Sequence, residues 1–135
     1  FAARDDDPRS AMLGAHVTLR ARSMELLAEA CGQDRAAQEL AFMAGMFSLL
    51  GTLFGQPLPQ VLATLTLPDD LRRALLQREG VLGQQLDTVQ AAEAPGDAAQ
   101  PGTGLATLGV DTASFNHLRL QAAVWALQMT QAPAP

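Results

Sequence analysis

From Leu40 to Pro68 the chain carries no charged side chain. Over Ala41 to Gly55 the residues sort by size on a helical wheel. Phe42, Met43, Met46, Phe47, Leu49, Leu50, Leu53 and Phe54 fall on one side, and Ala41, Ala44, Gly45, Ser48, Gly51, Thr52 and Gly55 recur every three or four positions on the other. A neighbouring backbone can come close to the small side while bulky side chains interlock opposite. The pattern predicts a buried helix, the spine of an all-α, compact multi-helix bundle without strands. Asp34 is its N-cap and Gly55 its end.

The remaining elements read outward from this spine. Asp7-Pro8 opens a first long helix, since a carboxylate can cap free amides and proline is tolerated in the first turn. That helix runs to about Cys31, with Gly32 as its stop. Its apolar arc holds Met12, Ala15, Leu19, Leu26, Leu27 and Ala30, and its polar arc Thr18, Arg22, Glu25 and Glu29. Arg20 falls on the apolar side, where an unpaired guanidinium is costly, so a carboxylate partner is expected. Pro57 and Pro59 bracket a short helix to about Leu65, and Pro68-Asp69-Asp70 opens another ending at Arg78. Val81 to about Glu93 forms a further helix, weakened by Gly83.

The last helix starts near Asp111 and places Phe115, Leu118, Ala122, Trp125 and Met129 on one stripe. Leu120, Val124 and Leu127 form a second stripe roughly opposite, so this helix is apolar on two sides and needs two neighbours. The resulting organisation is a flexible tail over residues 1–7, a helical core over 8–93, a Pro/Gly-rich flexible loop over 94–104, and a C-terminal helix over 105–135 with a short disordered end.

Composition narrows the function. The 135 residues carry a net charge of −5, and every cation is an arginine, so no basic stripe exists to bind nucleic acid or an anionic membrane. The helical part of the apolar run, about fifteen residues before Gly55, falls short of a membrane span. Lysine, isoleucine and tyrosine are absent, which points to a GC-rich bacterial genome. One cysteine, Cys31, excludes an internal disulfide and fits a reducing cytoplasm. The tail, with three consecutive aspartates and no apolar core, does not read as a signal peptide.

Candidate chemistry is sparse. His16 and His117 are the only histidines, with no His-Asp dipeptide or His-Glu-x-x-His, so no metal centre is expected. His16 reads as a hydrogen-bonded core histidine and Cys31 as a structural thiol, since no adjacent cation lowers its pKa. Asp69 and Asp70 do not converge on a helix and complement its N-terminal dipole. The glycines from Gly96 to Gly104 follow no strand and match no phosphate loop. No catalytic or cofactor-binding residue is assigned.

Several strings carry a family resemblance: LRARSMELLA (Leu19 to Ala28), AFMAGMFSLLGTLFGQPLPQVLATLTLPDDLRRALL (Ala41 to Leu76), EAPGD (Glu93 to Asp97) and AAVWA (Ala122 to Ala126). Together they resemble the C-terminal half of an HDOD domain, of the variety joined to an EAL domain in bacterial signalling proteins. Pro68 stands where the family tends to have a capping serine, and Ala92 and Ala98 where it favours aromatics. The resemblance implies the helical architecture of HD-type phosphohydrolases without their metal ligands. It implies a non-enzymatic regulatory module in a cyclic di-GMP context, working through a protein partner, through an EAL-type domain of the same full-length protein, or through homo-oligomerisation. Arg20, Arg22 and Glu25 match the family's Arg-Ala-x-x-x-Glu helix and are expected to pair structurally or at an interface. The alternative is a small protein binding an apolar ligand between the Phe42/Met46 face, flanked by Met43 and Phe47, and the Trp125 helix.

Overall fold

A computed structural model describes residues 8–93 and 102–131. The expected tail over 1–7, positions 94–101 of the expected loop and the last residues, 132–135, lie outside the described residues. The described residues form helices and turns only, in the order α1 (Pro8–Ala30), α2 (Arg35–Phe47), α3 (Leu50–Phe54), α4 (Leu58–Ala63), α5 (Asp69–Gln77), α6 (Gly80–Glu93), α7 (Gly102–Leu108) and α8 (Thr112–Gln131). The fold is all-helical and compact.

The axis of the bundle is α1, not the charge-free run. α1 packs against α2, α6 and α8, and Arg20, Ala21, Ser23, Met24, Glu25, Leu27 and Ala28 are all buried on it. A helix wrapped on three sides has no clean polar arc. Glu25, expected on the solvent side, is buried, whereas Ala30 of the expected apolar arc is exposed. The core joins Met24, Leu27 and Ala28 to Leu62, Leu71, Leu86, Leu105 and Phe115 from the surrounding helices.

Asp34 caps α2 as expected, its carboxylate accepting from the amide of Ala37 at 2.9 Å. The small side of α2 makes the close approach: Ala41, Ala44 and Gly45 are buried. A Cβ on Gly45 would stand 2.6 Å from the Ala21 backbone. The helix does not continue to Gly55. It ends at Phe47, Ser48 caps it, and the chain restarts as α3. Beyond the break the apolar run emerges into solvent: Leu53, Phe54 and Leu65 are exposed, and Leu62 is the buried residue of α4. Beyond α2 the absence of charge is therefore no longer a guide to burial: Leu49 and Leu62 are buried among exposed apolar neighbours. From Arg35 to Phe54 the chain reaches 20 residues at mean hydropathy 1.3, enough by length and composition to cross a membrane, a criterion core helices also meet.

Arg78, with φ 57, is the left-handed C-cap of α5, and Gly80 opens α6. Gly83 is a requirement of this tight turn, not a weakness. A Cβ there would lie 2.2 Å from the carbonyl carbon of Arg78. Two further corrections concern the C-terminal part. The expected loop gives way at Gly102 to α7, whose Gly104 sits against the Thr88 side chain and whose Leu105 is buried. The expected single C-terminal segment is thus two helices. α8 begins at Thr112, where Asp111 accepts from the amide and hydroxyl of Ser114 at 3.0 and 2.6 Å. These bonds hold the Asp111 carboxyl below the usual range.

Candidate functional site

Two polar clusters on α1 gather the chemistry-bearing side chains. The first centres on Arg20, which is nearly solvent-free on the apolar side of the helix. Its Nε donates to Glu93 Oε2 at 3.0 Å, a second guanidinium nitrogen donates to Glu93 Oε1, and a third donates to Ser48 Oγ at 3.0 Å. Ser48 Oγ donates onward to the carbonyl of Gly45 at 2.8 Å. His16 Nε2 stands 3.0 Å from Glu93 Oε1. The missing carboxylate is therefore Glu93, the last residue of α6 and the first of the EAPGD string. Burial pushes its carboxyl up, but the hydrogen bonds and charge of Arg20, with those of His16, outweigh burial and hold it below the usual carboxylate range. The cluster ties α1 to the end of α6 and to the break after α2. His16 is hydrogen-bonded but not a core residue, since 43% of its side chain remains accessible.

The second cluster lies nearer the C-terminal end of α1. Arg22 donates to Glu25 Oε1 at 2.7 Å, and Arg35 of α2 lies 2.9 Å from the other Glu25 oxygen. The guanidinium of Arg22 sits 5.3 Å from the centroid of the Trp125 ring on α8, within cation–π range. Its Nε is buried without a hydrogen-bond partner. Phe42 meets Trp125 edge to face at 6.2 Å between centroids. Arg22, Glu25, Phe42 and Trp125 thus converge, while Arg20 belongs to the other cluster. Met43, Met46 and Phe47 are half-buried, Met43 and Phe47 against the core. Phe42 and Trp125, the two sides of the alternative apolar-ligand site, are in direct ring contact.

Two cavities among the described residues lie elsewhere. One, of about 360 Å³, opens between the start of α2, α5 and the start of α6. Its floor includes Gln85, buried, which donates to Gln33 Oε1 at 2.6 Å. Burial pushes the neighbouring Cys31 thiol up, against a smaller opposing hydrogen bond from Gln85, as suits an inert thiol. The other, of about 400 Å³, is a shallow groove between the end of α1 and the start of α8, edged by Glu29 and His117. Among the described residues no three His, Cys, Asp or Glu side chains gather as a metal-binding group. Glu93, Ser48 and Arg35 were not singled out from sequence. The signal for Glu93 was available in Arg20, whose position demanded a buried acid.

Comparison with known proteins gives one limited likeness. Over 59 residues the chain is 42% identical to a protein described as cyclic di-GMP phosphodiesterase CdgJ, from Vibrio cholerae serotype O1. That match takes in 44% of this chain and 14% of the Vibrio protein, so the chain spans a small part of that relative's length. No family profile matches the chain, and no solved structure matches it significantly.

Proposed function

We propose that the chain is a non-enzymatic regulatory module of a bacterial cyclic di-GMP signalling protein, of HDOD kind, acting through protein contacts. The observation that carries this is the use made of its ionisable side chains. Arg20 and Glu93 are spent on each other, and Glu25 is shared between Arg22 and Arg35. A pair locked in mutual charge-assisted bonds organises a fold and is poorly placed to polarise a substrate. The likeness to part of a cyclic di-GMP phosphodiesterase supports the signalling context, and the HDOD-like strings run through the helices that build both clusters. An EAL-type domain of the same full-length protein is the natural partner under this reading.

The test is turnover. Purified chain incubated with cyclic di-GMP and Mg²⁺ or Mn²⁺ is expected to release no linear dinucleotide or guanosine monophosphate by chromatography. Product that appears with metal and disappears with chelator overturns the reading.

A further inference from the structure

The cavity between the start of α2, α5 and the start of α6 has a polar floor that packing alone does not explain. Gln85 is 1% exposed, yet it lines this space of about 360 Å³. A carboxamide offers two N–H donors and a carbonyl oxygen with two lone pairs. Gln33, also on the cavity wall, takes one donor at 2.6 Å, and the Cys31 thiol makes a further hydrogen bond with Gln85. The rest of that capacity is withdrawn from bulk water and is met from the cavity. Beside this floor the wall is apolar: Leu40 and Leu82 are half-buried against the core, and Val81 is 49% exposed at the mouth. It is also rigid, since the turn into α6 has no room for a side chain at Gly83. None of the lining residues adjoins a stretch outside the described residues.

Charge selects the occupant. At the rim Arg73 is paired with Asp69 at 2.8 Å, whereas Asp70 and Glu79, which line the cavity, have no ion-pair partner among the described residues. Two uncompensated carboxylates on a chain of net charge −5 repel anions and draw cations. A bare metal ion does not fit, because among the described residues no three His, Cys, Asp or Glu side chains gather as a metal-binding group and the wall is hydrocarbon. We infer that the cavity binds a small aliphatic cation with nitrogen at both ends, a diamine or an aminoguanidine. One end donates N–H bonds to the carboxamide oxygens of the floor, the stem lies along Leu40, Leu82 and Val81, and the other end sits between Asp70 and Glu79. This goes beyond the reading of the chain as a contact module, since the cavity shares no residue with the Arg20 and Glu25 clusters.

The probe is agmatine, titrated at constant ionic strength into the isotope-labelled full chain and followed by heteronuclear NMR. Saturable shifts are expected at the backbone amides of Gln33, Leu82 and Gln85 and at the Gln85 side-chain amide. Asp70→Asn and Glu79→Gln change exposed residues, so far-UV circular dichroism is expected to stay the same while each weakens binding about threefold. Glu29→Gln, an exposed acid at the other cavity, is expected to leave the affinity unchanged. γ-Guanidinobutyrate, which carries a carboxylate in place of the ammonium, is expected to bind at least about tenfold more weakly. The inference is overturned by the absence of saturable shifts, by shifts centred away from this cavity, by equal binding of γ-guanidinobutyrate, or by affinity indifferent to both Asp70→Asn and Glu79→Gln. Agmatine binding by a chain that hydrolyses cyclic di-GMP would sink the module reading and leave the cavity site standing. No binding and no hydrolysis would do the reverse.

Discussion

At the residue scale the decisive contact is Arg20 with Glu93. Both side chains are largely withdrawn from water, 7% and 14% exposed, so removing either leaves its partner's charge buried and unmatched. Arg20→Ala or Glu93→Ala is expected to cost about 3–5 kcal/mol in urea unfolding. The double variant Arg20→Met, Glu93→Leu should recover part of that, because it removes both desolvated charges together. The same pair sets an acid limit. Since the folded state holds Glu93 below its unfolded pKa, the stability it contributes is present above the unfolded value. It is lost as pH falls through the lowered folded value. Glu93→Gln should flatten the acid limb of the stability curve measured by thermal melting, while melting above neutral pH shows the destabilised but pH-independent protein. An Arg20 that needed an acid was legible from its wheel position. Which acid was not, since 73 residues separate the partners and no local rule links them.

At the scale of elements, small residues proved more informative than large ones. The stripe of Ala41, Ala44 and Gly45 was readable as a site of close backbone approach, and it is where α2 meets Ala21 of α1. Gly45→Ala is expected to lose about 1–3 kcal/mol, because the obstructing atoms are backbone and cannot rotate away. The large residues of the same run divide at Ser48. Wheel angles alone extend the helix to Gly55, but Ser48 serves as C-cap and also receives Arg20, and the chain turns there. Past that point apolar character no longer means burial. Leu62→Ala in α4 should cost about 2–5 kcal/mol, whereas Phe54→Ala in α3, 51% exposed, should stay within about 0.5 kcal/mol. α7 escaped the sequence reading because Gly102 and Gly104 signal a loop. Its helix depends on Gly104 fitting beneath Thr88 and Leu105 reaching the core, both tertiary effects.

At the scale of the whole molecule, the fold class and the doubly apolar character of α8 were visible in the periodicity, and the centrality of α1 was not. An amphipathic reading assigns each helix one buried face, and α1 is covered by three neighbours. The same three-sided packing explains why its polar groups form closed pairs. The molecule is a helical body organised around α1, whose interior charges are consumed by structure. Native-state amide hydrogen exchange tests this most directly. Amides of α1 are predicted to exchange most slowly, and Arg20→Ala is predicted to speed them together with those at the end of α6. Slower exchange in α5 or α8 than in α1, or an α1 indifferent to Arg20→Ala, would contradict it.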